Sequence, residues 1–341
     1  MSETAPIEVL FTVPFPTAVQ EELQSISPNL HFNFLTPRRP EDIPAEAWAR
    51  CQVLYTDRPL PTPAQAPLLK WIQFHYAGID FAVDAPILQK PGVQATTLSG
   101  AAAPQVAEYC LTMMLALGHH LPDLFRLQSK ADWPAERWER LSPRELREST
   151  VALIGYGSIG RELARLLQPL GVKILAVKHN VMQPQDTGYT PAGLGDPQGD
   201  LFTRLYPIEA LRSVFKQSDF IVLTLPLSPA TRGLIQHDVL ESVKPGAFLI
   251  DVGRGGIVEP NALLSALQEK RLSGAALDVF AEEPLPANSP FWKLPNVIIS
   301  PHIAGFSLHY HARAAKMFAE NLRRYLEGEP LLNVYDPTRG Y

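Results

Sequence analysis

The sequence predicts an α/β protein made of two doubly wound parallel-sheet domains. Three observations carry that prediction. Short apolar runs alternate with helical patterns along the whole chain, which is the signature of strands crossing over through helices. A strand–glycine turn–helix unit stands in mid-chain, with about 150 residues before it, so something else must fold in front. The length of 341 residues suits two domains of ordinary size.

The bulk composition excludes several function classes. With 46% hydrophobic and 19% charged residues, the chain can bury a core that needs neither disulfide nor metal, and no metal site is expected. The net charge is −5 with the charges interspersed, so no basic tract invites nucleic acid or a membrane surface. Cys51 and Cys110 lie in apolar surroundings and read as reduced, structural thiols of a cytosolic protein. Residues 1–6 lack the charged and apolar regions of a signal peptide. The most apolar helical run, 109–117, is far shorter than the ~20 residues that span a bilayer. The 33 prolines fall mainly between predicted elements, where they stiffen loops.

In chain order, residues 7–13, 32–35, 53–56, 71–74 and 93–96 read as strands, with helices at 18–25 and 46–50. None of these strands is followed by a glycine fingerprint, so this first domain is not expected to hold a dinucleotide. Pro104 suits the start of a long helix from Gln105 to about Gln128, apolar nearly all round at its beginning and therefore buried there. Residues 129–150 form a polar connector or arm with Trp133 and Trp138, which suit either a subunit interface or a surface helix. The second domain has strand candidates at 151–154, 173–177, 220–225, 247–251, 275–279 and 297–300. Residues 182–200, rich in Gly, Pro, Asp and Gln, read as an exposed, mobile insertion loop. A final amphipathic helix covers 306–327. It has Arg313, Lys316, Glu320 and Arg323 on its polar side, Met317, Phe318, Leu322 and Leu326 on its apolar side, and Gly328 as its stop.

The mid-chain unit is Val151-Ala-Leu-Ile154 followed by Gly155-Tyr-Gly157-Ser-Ile-Gly160 and a helical run. In that context G-x-G-x-x-G is a dinucleotide fingerprint. Gly155 permits the tight turn, Gly157 lets the backbone approach a pyrophosphate, and Gly160 lets helix and strand pack closely. The helix N-terminus then offers free N–H groups to the phosphates.

Three polar residues stand at the ends of successive strands: Arg254 after the strand ending at Asp251, Glu283 just past Asp278, and His302 after Ser300-Pro301. The carboxyl ends of parallel strands face the ligand crevice, so the three converge. Together they suit a keto acid. Arginine binds a carboxylate through two parallel N–H···O bonds. Histidine gives a proton to a carbonyl oxygen as hydride arrives, or removes it in reverse. A carboxylate beside the imidazole fixes the ring and favours its protonated form. Taken singly, each residue has a plain structural alternative as a turn, loop or capping residue.

With these residues in view, the chain resembles the D-isomer-specific 2-hydroxyacid dehydrogenases over residues 50 to 335. The match is carried by the glycine motif and by Leu225-Pro-Leu-Ser-Pro-Ala-Thr-Arg-Gly-Leu-Ile235, Asp251-Val-Gly-Arg-Gly-Gly-Ile-Val258, Ala276-Leu-Asp-Val-Phe-Ala-Glu-Glu-Pro-Leu285 and Leu294-Pro-Asn-Val-Ile-Ile-Ser-Pro-His-Ile-Ala-Gly305. Earlier, Leu69-Lys-Trp-Ile-Gln-Phe-His-Tyr-Ala-Gly-Ile-Asp80 and Val106-Ala-Glu108 also match. The resemblance implies a Rossmann cofactor domain at 106–307 and a discontinuous, flavodoxin-like substrate domain at 1–105 and 308–341, arranged around a cleft. It implies catalytic roles for Arg254, Glu283 and His302. It also implies that the loop Tyr76-Ala77-Gly78 offers backbone N–H groups to the substrate carboxylate, which Arg254 and His302 also contact. The cofactor would meet Ser158 and Ile159 at its pyrophosphate and Leu225 and Pro226 along the cleft. Val252, Gly253, Arg254, Asp278, His302 and Gly305 would lie near its nicotinamide. Asp278 has the alternative of a buried structural acid. The resemblance further implies a homodimer joined largely through the cofactor domain.

Two features depart from the usual pattern. NAD enzymes place Asp or Glu at the end of the second strand to bond the ribose hydroxyls. Here that strand ends in Lys178-His179-Asn180, so a preference for NADPH over NADH is expected, the alternative being a Lys178 that points to solvent. His75 and Tyr76 are large for a loop that usually holds small residues; they narrow the pocket, hydrogen-bond a substrate hydroxyl, or pack against the domain.

The expected activity is reduction of a small 2-keto acid, with glyoxylate and hydroxypyruvate favoured because Asn288-Ser-Pro-Phe-Trp292 is similar to bacterial glyoxylate/hydroxypyruvate reductases. A phosphoglycerate-type dehydrogenase is a rival, against which stands the lack of a regulatory domain after residue 341. Formate dehydrogenase is disfavoured, since its catalytic histidine pairs with glutamine. A dinucleotide-sensing, peptide-binding corepressor of the same fold is the reading from a different class.

Overall fold

The computed structural model describes residues 6–37 and 39–340; residues 1–5, on which the signal-peptide reading mostly rests, lie outside the described residues. The chain divides into two compact units. One comprises the chain up to Ala102 and from Ser307 onward, and the other is Ala103–Phe306.

The first unit holds a five-stranded sheet: β1 (Ile7–Phe11), β2 (Leu30–Phe34), β3 (Val53–Thr56), β4 (Trp71–Phe74) and β5 (Gln94–Thr96). All pairings are parallel and the order is β2-β1-β3-β4-β5, the flavodoxin-like order, with its switch point between β1 and β3. β3 and β4 are buried at every position, which is why they read as unbroken apolar runs rather than as alternating ones. One sheet face packs on Trp48, Ile43 and Leu69. On the helix Tyr310–Glu327, Phe318 is fully buried, its ring against Phe11, Tyr55 and Trp71. Gly328 ends that helix in the left-handed region at φ 72°.

The second unit holds a seven-stranded sheet: β6 (Thr150–Ile154), β7 (Lys173–Val177), β8 (Arg204–Tyr206), β9 (Phe220–Leu223), β10 (Ala247–Asp251), β11 (Leu272–Leu277) and β12 (Val297–Ile299). The order β12-β11-β10-β9-β6-β7-β8 is parallel throughout and reverses between β6 and β9, where a Rossmann sheet binds its ligand. β6, β9 and β10 form its buried centre.

The structure corrects four sequence expectations. The helix expected from Gln105 to about Gln128 is two helices, Ala103–Gly118 and Leu121–Ser129. His120 between them takes φ 56°, and Pro122, which cannot donate to a preceding turn, opens the second helix. Strand β8 was hidden because three residues are too short to show a period; it is held by pairing with β7. Residues 182–200 are not a free loop. Arg161 donates to the carbonyls of Asp196 and Pro184, both at 2.6 Å, and Glu162 accepts from the Gly195 amide at 2.6 Å. Burial works to raise the Asp196 carboxyl. The Tyr156 hydroxyl and the amides of Leu201, Asp200 and Gly199 outweigh it and hold the group below the ordinary range. The final helix also starts later than expected, at Tyr310 rather than 306.

Candidate active site

In the second unit the glycine turn has the shape of a phosphate cradle. Gly155 stands at φ +105°, and a Cβ on Gly160 would lie 2.3 Å from the Gly155 carbonyl, so neither tolerates a side chain. Around Gly157, by contrast, no atom lies within 4 Å of where a Cβ would be. The helix Ser158–Leu167 starts at this open space. Among the described residues the amides of Gly157, Ser158, Ile159 and Gly160 meet no acceptor. Free N–H groups, a helix N-terminus and empty space fit a pyrophosphate. Across the switch point, the Thr224 hydroxyl donates to the Gly155 carbonyl at 2.8 Å, tying the turn to the end of β9.

Leu225 and Pro226 follow that point, half-buried, and a Cβ on Gly253 would lie 2.8 Å from the Leu225 carbonyl. Val252 is buried, its amide donating to the Leu223 carbonyl. Arg254 is half-buried, with Nη1 donating to the Gly253 carbonyl at 2.8 Å. Gly305 has open space where a Cβ would point, and its carbonyl accepts from Gln105 Nε2 at 2.5 Å.

His302 and Glu283 meet: Nδ1 lies 2.7 Å from Oε2, and the other carboxylate oxygen accepts from the Phe280 amide at 2.9 Å. Both side chains are partly exposed. The carboxylate accepts a hydrogen bond from Nδ1–H, which leaves Nε2 as the nitrogen that exchanges a proton with a ligand.

His302 itself sits at φ 53°, a conformation that its neighbours must enforce. Asp278 does so. Its Oδ1 accepts from Ser300 Oγ (2.5 Å) and the Ile303 amide (2.9 Å), its Oδ2 accepts from the Ala304 amide (3.0 Å), and its carbonyl accepts from the His302 amide (2.9 Å). Burial pushes the Tyr109 hydroxyl up to about 12, so it stays protonated. Because Ser300 spends its proton on Asp278, Tyr109 donates to Ser300 at 2.6 Å. Asp278 is thus occupied by the loop that carries His302, which favours the buried-acid alternative. Ser300 and Tyr109 were missed in the sequence, and the Ser300-Pro301-His302 order was the one local signal.

Beneath Arg254, burial raises Asp251 to about 7 against the pull of the Gly253 amide, and the neighbouring Asp278 adds to the rise. At the end of β7, Lys178 does not point freely to solvent: Nζ donates to the carbonyls of Gln183 (2.6 Å) and Gln185 (3.3 Å). Burial and the nearby Arg161 lower its pKa, with Asp186 acting against them. A cation, Lys178, therefore stands at the strand end where a dinucleotide fold usually has an acid.

In the first unit, Tyr76 and Ala77 are exposed in the loop after β4. Among the described residues the amides of Tyr76, Ala77 and Gly78 meet no acceptor, and three successive free N–H groups suit a carboxylate.

Comparison with known proteins gives the family. A sequence profile described as "D-isomer specific 2-hydroxyacid dehydrogenase, NAD binding domain" matches residues 111–304. The chain is 32% identical over 266 residues to a glyoxylate reductase of Thermofilum pendens, covering 77% of this chain and 74% of that one. It is 33% identical over 265 residues to an (S)-sulfolactate dehydrogenase of Chromohalobacter salexigens, covering 77% and 79%. Among solved structures, a D-isomer specific 2-hydroxyacid dehydrogenase of Xanthobacter autotrophicus in complex with NADPH and MES superposes with a TM-score of 0.78 at 28% identity, over 99% of this chain and 100% of that one.

Proposed function

Because this chain belongs to the D-isomer specific 2-hydroxyacid dehydrogenase family, we propose that it reduces small 2-keto acids with NADPH, hydroxypyruvate and glyoxylate being favoured. The observation that carries this reading is the 2.7 Å His302–Glu283 pair, which follows β11 and β12 as Arg254 follows the neighbouring β10, in the same sheet as the glycine turn.

The residues divide the work as follows. In the first unit the amides of Tyr76, Ala77 and Gly78 serve the substrate carboxylate, and in the second the Arg254 guanidinium is the carboxylate-binding cation. When bound, the reduced nicotinamide supplies the hydride to the keto carbon. His302, oriented through Nδ1 by Glu283, gives the proton from Nε2 to the carbonyl oxygen and takes it back in the oxidative direction. The turn Gly155–Gly160 holds the pyrophosphate, and Leu225, Pro226, Val252, Gly253 and Gly305 border the cofactor. Lys178 supports the preference for NADPH, since a cation attracts the 2′-phosphate where an acid would repel it.

The helix-and-arm segment after residue 118 leaves Phe125, Trp133 and Trp138 at 65%, 84% and 74% exposure, which supports a homodimer built through this segment. Among the described residues no helix is long and apolar enough to cross a membrane; the proposal of a cytoplasmic enzyme rests on Cys51 and Cys110, both free and buried.

The test is oxidation of NADPH and NADH against glyoxylate, hydroxypyruvate, pyruvate and phosphohydroxypyruvate. Turnover of a small keto acid with a higher kcat/KM for NADPH is expected. A clear NADH preference overturns the role of Lys178. Cofactor binding with no turnover of any keto acid overturns the reductase and favours a dinucleotide-sensing binding protein.

A further inference from the structure

His75 stands at the end of β4, immediately before the loop of free amides, and near the β1/β3 switch point of its sheet. Its ring touches Phe15, Tyr55, Tyr76, Tyr310 and His311. Tyr55 Oη lies 2.7 Å from His75 Nδ1. Tyr55 is fully buried, and among the described residues its hydroxyl proton has no other acceptor. Tyr55 therefore donates to Nδ1, and the imidazole proton sits on Nε2.

Burial, with His311 adding to it, pushes His75 down to about 3, so the ring is neutral at any working pH. Its backbone is pinned on both sides: the amide donates to the Thr56 carbonyl at 2.7 Å, and the carbonyl accepts from the Tyr310 hydroxyl at 2.6 Å. Yet among the described residues Nε2 has no hydrogen-bond partner, although the residue is only 5% exposed. His311, whose ring is stacked on it with centroids 5.4 Å apart, has a buried Nδ1 that is also unpartnered. A buried polar atom without a partner is costly, and His311 Nδ1 in that state, beside a His75 Nε2–H that no protein group accepts, points to a polar ligand.

We propose that His75 is the specificity-determining donor of the substrate site, its Nε2–H reading a neutral oxygen on the carbon next to the keto group. This rests on the reading above that the Tyr76–Gly78 amides hold the substrate carboxylate. A three-carbon acid held there places its third carbon within a few bonds of the anchor, and His75 is the adjoining residue. The enzyme is then selective for 3-hydroxy-2-keto acids. A neutral donor offers nothing to offset the charge of a phosphate or sulfonate at that carbon, so such acids are disfavoured.

The experiment measures kcat/KM for hydroxypyruvate and for pyruvate, which lacks the hydroxyl, in the wild-type enzyme and three variants. His75→Phe keeps a ring and removes the N–H; the hydroxypyruvate-to-pyruvate ratio is expected to fall roughly tenfold. His75→Gln, which restores an N–H donor, recovers part of the ratio. Tyr55→Phe keeps the ring packing on Phe11 but frees the tautomer, and lowers the ratio by a smaller factor. Loss of both substrates by one common factor, or an unchanged ratio in His75→Phe and Tyr55→Phe, overturns the proposal and leaves the reductase reading intact. Absence of turnover with every keto acid in the wild-type enzyme overturns both.

Discussion

Asp278→Asn tests whether the carboxylate beneath the His302 loop is an anchor. Asp278 is 2% exposed and takes three hydrogen bonds on its two oxygens, from Ser300, Ile303 and Ala304. Asparagine has one acceptor oxygen. If that oxygen keeps Ser300 and Ile303, its NH2 faces the Ala304 N–H, and a buried donor goes unmet at a cost of about 1–3 kcal/mol. The two remaining bonds lose their charge assistance, about 1 kcal/mol each. Part of this returns, because the Asp278 charge is one of the causes that raise Asp251. The net loss is about 2–4 kcal/mol, or about 1–2 M in the urea midpoint for a unit of this size. With the loop loosened, His302 leaves its enforced backbone conformation, and kcat falls by roughly tenfold or more while the NADPH Kd moves less than threefold. Urea titration, steady-state kinetics and a cofactor titration read the three quantities. An unchanged urea midpoint together with a large rise in NADPH Kd would refute the anchor and restore a direct role for Asp278 at the cofactor.

His302→Ala should lower kcat by about 10²–10⁴-fold with cofactor binding nearly intact, and stopped-flow single turnover separates that loss from product release. Gly160→Ala forces a Cβ to within 2.3 Å of the Gly155 carbonyl, so a loss of about 1–3 kcal/mol in stability and weaker NADPH binding are expected from melting with and without cofactor. Asp251 carries a pH signature. Its folded pKa of about 7 is above the ordinary aspartate value of 3.8, so the native state binds the extra proton between the two. The stability that Asp251 itself contributes is therefore fully present below about pH 4 and is lost as pH rises through 7. Denaturation at pH 5 and pH 8 should show a smaller decline in Asp251→Asn than in the wild type, and equal declines would exclude the assignment.

Much of the site was legible because its chemistry sits at strand ends. A strand buried on both faces writes itself as an unbroken apolar run, and in a parallel sheet the residue after that run is aimed at the ligand side. That rule alone located Arg254, Glu283 and His302, and the glycine turn needed only its flanking strand and helix. The amides of Tyr76–Gly78 came from the resemblance, since backbone donors leave no mark in side-chain identity. Asp278 was seen, but its partner Ser300 and the Tyr109 that donates to Ser300 were not, because Tyr109 lies nearly two hundred positions from Ser300 in the chain. The same limit hid the fastening of residues 182–200. Composition marked a loop, and only the buried Arg161 and Asp196, each unremarkable in sequence, turn it into a packed segment.

By itself, then, the sequence determined the two parallel-sheet units, the glycine cradle and the identity of the strand-end acid, base and cation. These follow from local periodicity and from the fixed direction of parallel strands. Tertiary structure alone decided what each polar group is spent on. Asp278 goes to the His302 loop, Lys178 to two carbonyls, and Tyr55 to the nitrogen that sets the His75 tautomer. A hydrogen bond inventory depends on distances between residues far apart in the chain, and periodicity carries no information about those.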